Sequence, residues 1–166
     1  MKKIILLISF AAVASFASAQ NNGHIVSFDG MDELKIGIGK VELEKLLKIK
    51  IEFKHIGKDE RYTETINATY KGIPMEIDMM RSDEIVARLD GMRTSSPLFK
   101  TAEGIGVGSD QQTIINTYEK HLLIIDKETI TLADADNLHS SIVFWMKDKK
   151  VVAIGSEPTA AFRDRE

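Results

Sequence analysis

The stretch Glu103–Thr113, EGIGVGSDQQT, decides how this chain is interpreted, because three glycines on alternate positions are followed by a helix-start signal. Glycine-rich turns that lead into helices often bind phosphate through their backbone N–H groups. Glycine is also required where the backbone makes a turn that other residues cannot adopt. The first interpretation predicts a nucleotide-binding protein, and the second predicts a structural corner.

A reduced copy of the stretch occurs about half a chain length earlier, in Leu34–Leu43, LKIGIGKVEL. Each copy has an apolar residue, a glycine, and then two apolar anchors at helical spacing, and strand-like patterns follow both. The aligned pairs are Ile36 with Val107, Gly37 with Gly108, Leu43 with Ile114, and Leu47 with Tyr118. A repeat of this kind predicts two αβ units of similar plan.

The repeat favours the structural corner over the phosphate site. A dinucleotide fingerprint requires G-x-G-x-x-G between a strand and a helix, and a P-loop requires G-x-x-x-x-G-K-[ST]. The stretch reads G-x-G-x-G-S and has no lysine at the required place, and its earlier copy keeps only one aligned glycine. We therefore predict a tight turn before each helix, and no cofactor.

The first nineteen residues have the pattern of a signal peptide. Lys2 and Lys3 precede the apolar run Ile4–Phe16, and Ala17-Ser18-Ala19 is a small-x-small cleavage site. The apolar run is short for a membrane span, which needs about 20 residues. We predict that residues 1–19 are removed, that the protein is exported to the periplasm or the medium of a bacterium, and that no stable membrane span remains.

Composition narrows the class of protein further. The chain has no cysteine, which excludes disulfides, thiolate metal sites and lipid attachment at an N-terminal Cys. Its formal net charge is −3, and removal of the two signal-peptide lysines makes it about −5. A net negative charge gives no sign of the basic surface that nucleic-acid-binding proteins use.

Hydrophobic periodicity predicts an α+β fold, with two short helices packed on an antiparallel sheet of about seven or eight strands. The predicted helices are Lys40–Lys48 and Gln111–Glu119. The predicted strands are Ile25–Phe28, Ile49–His55, Tyr62–Tyr70, Ile73–Met79, Glu84–Met92, one or two within 122–133, Ser140–Met146, and Lys150–Gly155. We expect a single domain over 20–156, with repeat-like units at about 30–93 and 101–156 and a tail at 157–166.

The signal peptide and the two corner-then-helix motifs together resemble known envelope proteins. The pattern, an apolar residue and glycine opening a short helix before antiparallel strands, resembles the small outer-membrane assembly lipoproteins of the SmpA/OmlA type. It also resembles the tandem αβ repeats of β-lactamase-inhibitor-protein-like domains. The resemblance implies two helices on an antiparallel sheet that binds another protein. Because the lipid-accepting cysteine is missing, it does not imply a lipid anchor, and no site residue is carried over.

Aromatic residues on predicted strands are the candidates for binding. Trp145 lies in the strand Ile142-Val143-Phe144-Trp145-Met146, which is apolar on both sides at its end. Such a strand is typical of the covered centre of a sheet, but an exposed tryptophan there would anchor a partner. Tyr62 and Tyr70 also lie on strands, so the three aromatics define a candidate sheet-borne binding face.

Signals for chemistry are weaker. Asp134, Asp136 and His139 offer ligands for a divalent ion, but an EF-hand needs glycine and glutamate where His139 and Trp145 stand. We favour a polar turn that leads into the strand Ser140–Met146 over a metal site. No nucleophile motif occurs. We interpret Glu76 and Asp78 as residues on the solvent-exposed side of a strand rather than as an acid–base pair.

The sequence therefore predicts a non-enzymatic binding protein whose partner is a protein or an envelope component. Two alternatives stay open. One is a small hydrophobic-ligand carrier with a cavity lined by Met75, Met79 and Met146. The other is a metal-dependent hydrolase at the Asp134 cluster. The oligomeric state is not predicted.

Overall fold

The computed structural model describes residues 23–53, 62–81, 87–133 and 140–159. The described residues form two helices, α1 Lys40–Leu47 and α2 Gln111–Thr117. Their strands are β1 His24–Ser27, β2 Gly30–Met31, β3 Leu34–Lys35, β4 Tyr62–Tyr70, β5 Ile73–Arg81, β6 Arg88–Thr94, β7 Phe99–Lys100, β8 Leu122–Ile125, β9 Thr129–Ala133, β10 Ser140–Lys147, and β11 Lys150–Pro158. The predicted signal peptide lies outside this range.

The largest element is a seven-stranded antiparallel sheet in the order β4-β5-β6-β11-β10-β9-β8. The predicted α+β class, with two helices and an antiparallel sheet, is confirmed. A second sheet, in the order β3-β2-β1-β7, was not predicted, and its β1–β7 pairing is parallel. β1 overlaps the predicted strand Ile25–Phe28. β2, β3 and β7 have two residues each, too few for a periodic pattern to be recognised.

Local turn chemistry fixes two hairpins of the large sheet. Lys71 and Gly72 between β4 and β5 have φ of 49° and 84°, and Asp148 and Lys149 between β10 and β11 have φ of 50° and 63°. Two central residues with positive φ form the type I′ turn, whose twist matches that of the flanking strands. β11 continues to Pro158, so the first two residues of the predicted tail belong to the sheet.

The predicted strand Ile49–His55 is wrong in its described part, residues 49–53, which form no strand. α1 ends at Leu47, and its C-cap residue Lys48 has the left-handed conformation, with φ 55°. The Ile51 N–H then donates to Glu44 Oε1 at 2.7 Å, and the Ile51 side chain is buried. The alternating apolar residues therefore belong to a segment without strand structure that folds back and packs against the helix.

The two glycine corners make the same backbone hydrogen bonds. Gly37 donates to Leu89 O at 2.7 Å, and Gly108 donates to Val151 O at 2.9 Å. Leu89 and Val151 each return a bond of 2.9 Å to the carbonyl of the residue that follows the glycine. The glycines have φ of 85° and 92°, a conformation that costs a residue with a Cβ about 1–2 kcal/mol. Each corner thus fastens its helix to the last strand of its own half.

The N–H groups of the EGIGVGSDQQT stretch are used within the protein. Gly106 N–H donates to Ser109 Oγ at 3.1 Å, and Ser109 N–H donates to Gly106 O at 3.0 Å. Gln111 N–H donates to Lys149 O at 2.9 Å. Together with Gly108, four amides that would face a phosphate bond to the chain itself, so the stretch is a corner.

The two halves meet at the centre of the sheet with approximate two-fold symmetry. Arg93 of β6 pairs with Gly155 of β11. The two flanking pairs, Met92 with Ser156 and Thr94 with Ile154, occupy equivalent positions on either side of it. Each half has a register shift at the same place, after Asp78 in the β5–β6 pairing and after Trp145 in the β10–β11 pairing. β-Bulges increase local twist, so both halves bend alike around the Arg93–Gly155 pair.

One face of the large sheet packs against both helices and the small sheet, forming a single hydrophobic core. Leu43 of α1 and Ile114 of α2 are both 0% exposed, and they occupy matching positions after the two corners. The Tyr118 ring, just after α2, lies 6.3 Å from the Phe144 ring of β10. No described helix or strand packs on the opposite face, which we call the helix-free face.

Candidate binding face

The helix-free face carries the alternate residues of each strand that point away from the core. Its central row crosses the two-fold pair and runs from one edge of the sheet to the other. The residues in this row are Asn67, Glu76, Arg93, Gly155, Val143, Thr131 and Ile124. It is solvent-exposed at Asn67 and Arg93, whereas Val143 is buried. Ile124, at the other end of the row, is 51% exposed. The face is therefore accessible at both ends of the row, and its exposed part around Arg93 extends to the end of β10.

Arg93 joins three strands of this face through its guanidinium. Its Nε donates to Glu76 Oε2 of β5 at 2.6 Å, and Nη2 forms an ion pair with the same oxygen. The guanidinium carbon lies 5.5 Å from the centre of the Trp145 ring of β10. Arginine over a tryptophan face is a favourable cation–π arrangement. Glu76, Arg93 and Trp145 form a polar-aromatic triplet that is partly open to solvent.

Small residues surround the triplet. Gly155 leaves no side chain between Arg93 and β10, and Gly91 and Ala153 lie on the neighbouring rows. A depression of about 190 Å³ adjoins Arg93 and Glu76. This volume is below the roughly 300 Å³ at which small-molecule sites begin, so the feature suits a protruding side chain better than a separate ligand.

The structure places Trp145 and Tyr70 on opposite faces of the large sheet. Trp145 lies on the helix-free face, partly buried under Arg93. Tyr70 is 1% exposed in the core, with its hydroxyl 3.2 Å from Glu33 Oε2, so it offers no surface to a partner. Tyr62 is the first residue of β4, and its side chain lies outside the described residues.

The metal candidates Asp134, Asp136 and His139 also lie outside the described residues. Within residues 23–53, 62–81, 87–133 and 140–159, no group of three or more His, Asp or Glu side chains is arranged to hold a metal ion. Glu76 pairs with Arg93, while Asp78 accepts a hydrogen bond from the Thr65 hydroxyl at 2.6 Å. These acids therefore stabilise the sheet surface separately and do not form an acid–base pair.

Two of the methionines proposed to line a carrier cavity are packed in the core. Met75 is 4% exposed and Met79 is 0% exposed, and both belong to the hydrophobic cluster under the helices. Among the described strands, β4 and β8 form the two ends of the sheet, with no pairing between them. The sheet as described is open.

A His–Asp pair occurs near the start of the described chain. His24 Nδ1 lies 2.5 Å from Asp32 Oδ2, and the His24 ring stacks on Phe99 at 4.7 Å. Burial raises the pKa of Asp32, but hydrogen bonds from His24 and the Ile25 N–H outweigh this effect and lower the pKa overall. Within the described part of the chain, no serine or threonine hydroxyl bonds to His24. The pair therefore fastens β1 to the β2–β3 turn.

A buried tyrosine cluster lies at the end of α2. Tyr118 is 3% exposed, and its hydroxyl donates to Glu103 Oε2 at 2.6 Å while lying 2.6 Å from Thr101 Oγ1. Burial raises the pKa of the Tyr118 hydroxyl, and the Glu103 carboxylate raises it further. The hydrogen bond from Tyr118 lowers the pKa of Glu103 below its ordinary value of 4.5. An adjoining cavity of about 180 Å³ is too small for most ligands.

This cluster predicts a pH-dependent effect of Tyr118→Phe. Loss of the hydroxyl removes its hydrogen bonds to Glu103 and Thr101 and should cost about 2 kcal/mol of unfolding free energy at neutral pH. Because the pKa of Glu103 is lowered in the folded state, its contribution is present above pH 4.5 and is lost as the pH falls through the lowered value. The deficit should therefore shrink in acid, as measured by urea unfolding across pH. In a Glu103→Gln background the pH dependence of the Tyr118→Phe effect should disappear, and its persistence there would refute the assignment.

Comparison with family models, with curated proteins and with solved structures finds no match for this chain. The envelope-protein resemblance therefore stays an expectation from the two corner motifs. Among the described residues, neither helix has the length and apolar character needed to cross a membrane.

Arg93 and Glu76 were not predicted as binding residues. Arg93 approaches Trp145 only because β6 and β11 pair across the two halves, and this pairing joins segments far apart in sequence. The local signal that places Arg93 on a sheet surface is its position next to the apolar Met92, because neighbouring residues of a strand point to opposite faces.

Proposed function

We propose that this protein is an exported, non-enzymatic binding protein of the bacterial envelope that uses the helix-free face against another protein. The observation that carries the proposal is the Glu76–Arg93–Trp145 triplet at the centre of that face. Arginine and tryptophan are enriched at binding hot spots, and such residues lie near the centre of an interface. The triplet is built across three strands, so its geometry is held by the sheet before any partner arrives.

The surroundings of the triplet favour a protein partner over a small ligand. The exposed side chains of β4 on this face are Thr63, Thr65, Asn67 and Thr69, which are hydrogen-bonding residues of modest size. A polar rim around an aromatic centre is the usual anatomy of a non-obligate interface. The signal-peptide pattern and the resemblance to SmpA/OmlA-type and β-lactamase-inhibitor-like proteins support a periplasmic or secreted location.

Replacement of Trp145 tests the proposal. The partner is captured from envelope extract with the purified protein, and its affinity is then measured by titration calorimetry. Trp145→Ala should weaken binding by about 2 kcal/mol or more, which is roughly thirtyfold, and Arg93→Ala should act in the same direction. Val41→Ala, at a side chain 65% exposed on α1, should bind as the wild type does. Equal affinities of the Trp145 and Val41 variants would refute the use of the helix-free face.

A further inference from the structure

The depression beside Arg93 is lined by polar groups that have no partner within the described part of the chain. Arg93 Nε and Nη2 both bond to a single oxygen of Glu76, Oε2. Arg93 Nη1 and Glu76 Oε1 therefore form no hydrogen bond with a described residue. The same is true of the Asn67 amide and the Ser95 hydroxyl, which also line the depression. Convergent polar groups in a concavity are typical of a recognition site.

The depression lies between two neighbouring rows of the helix-free face. One is the central row, in which the side chains of Glu76 and Arg93 are 39% and 45% exposed. The next row, two positions along the strands, consists of Pro74, Ser95 and Ala153, and all three line the depression. Because these three side chains are small, the polar groups of the central row are accessible from the side as well as from above.

The charges of the lining select the chemistry of an occupant. Among the described residues that line the depression, Glu76 and Arg93 are the only charged ones, and they neutralise each other. A charged side chain that entered would lose its hydration and would meet a like charge beside the opposite one. A carboxamide has one acceptor oxygen and an NH₂ group with two donors, and it carries no net charge. It therefore matches the unused donor of Arg93 and the unused acceptor of Glu76.

We propose that the depression receives the carboxamide side chain of an Asn or Gln residue of the partner protein. The amide oxygen accepts a hydrogen bond from Arg93 Nη1, and the amide NH₂ group donates to Glu76 Oε1. The methylene groups of the same side chain contact Pro74 and Ala153. The volume of about 190 Å³ is suited to one side chain. This inference rests on the proposed function, because it names the chemistry by which the partner is recognised at the helix-free face.

Trp145 acts on this site through Arg93. The Arg93 guanidinium stacks on the Trp145 ring and bonds to Glu76, so its position is held before a partner arrives. Little side-chain entropy is then lost when the carboxamide binds. Trp145 itself does not line the depression. It is therefore a positioning residue for the carboxamide contact.

A random-peptide library displayed on phage and selected against the purified protein tests the inference. Only peptides whose binding is lost with Trp145→Ala are counted, since these bind the helix-free face. The wild type should select Asn or Gln at one recurrent position of these peptides. A synthetic peptide with Gln at that position should bind roughly tenfold more tightly than the same peptide with Glu or Lys there. Titration calorimetry measures the three affinities.

Removal of one charge at a time should change the preferred peptide in opposite directions. Glu76→Gln leaves Arg93 uncompensated and should favour the Glu peptide, whereas Arg93→Gln leaves Glu76 uncompensated and should favour the Lys peptide. The matched control Asp78→Asn removes an acid of the same strand that does not line the depression, and it should keep the preference for Gln.

The outcomes separate this inference from the proposed function. Peptides that depend on Trp145 but carry no recurrent Asn or Gln would overturn the inference and leave the proposed function standing. Equal peptide preferences of Glu76→Gln and Asp78→Asn would do the same. The absence of any peptide that depends on Trp145 would overturn both.

Discussion

Gly155→Ala should destabilise the protein by about 3 kcal/mol or more, which corresponds to a fall of roughly 10 °C in Tm. A Cβ on Gly155 would lie 2.0 Å from Met92 O and 2.9 Å from Arg93 Cα, both of which are backbone atoms. Backbone atoms of a paired central strand cannot rotate away as a flexible side chain can. The methyl group can be accommodated only if β6 and β11 move apart at the two-fold pair.

Gly91→Ala provides the matched control on the adjacent strand. A Cβ there would lie 3.4 Å from Asp78 Oδ2 and 3.5 Å from Glu157 Cγ, which is ordinary contact with side-chain atoms. We expect its unfolding free energy to stay within about 0.5 kcal/mol of the wild type. Urea unfolding of both variants measures the difference. If Gly155→Ala is as mild as Gly91→Ala, the close approach of the two central strands is wrong.

The Gly155 position links fold and candidate function. The absent side chain lets β11 approach β6, and it also leaves the space across which Arg93 approaches Trp145. The same residue thus determines the join between the two halves and the centre of the helix-free face. A destabilised Gly155→Ala protein should therefore also lose the Arg93–Trp145 contact.

Where the fold was predictable, the signal was local. The β4–β5 hairpin follows from alternation in Tyr62–Tyr70 and from the Lys71-Gly72 turn, which are contiguous in sequence. The corner at Gly108 was predictable because Gly37 repeats it, and the structure gives both glycines equivalent partners. Alternation alone misassigned 49–53, because apolar residues that pack a loop against a helix can also alternate.

Where prediction failed, the structure depends on long-range pairing. The small second sheet joins β1 to β7, which are distant in sequence, and β7 has only two residues, too few to leave a pattern. The candidate site shows the same limit. Trp145 was recognisable as a large aromatic residue on a strand, but its partner Arg93 becomes visible only when β6 and β11 are known to pair. Tyr118 was recognised as a helix anchor, without its bond to Glu103.

Leu43→Ala and Ile114→Ala should each reduce the free energy of unfolding by about 3 kcal/mol, within the range of roughly 2–5 kcal/mol for truncation of a buried Leu or Ile. Both side chains are 0% exposed and lie at the same place after their corners. Each fastens one short helix to the shared core, and helices of eight and seven residues have little stability without such packing. The two losses should therefore be similar in size.

Val41→Ala is the control for both anchor variants, because its side chain is 65% exposed on the same helix as Leu43. Its unfolding free energy should stay within about 0.5 kcal/mol of the wild type. Urea unfolding followed by circular dichroism gives all three values. A large loss at Leu43 with a negligible one at Ile114, or the reverse, would show that the helices are held differently. Equal losses would mean that the corner, its helix and its anchor act as one unit in both halves, so that the core depends on each copy to the same degree.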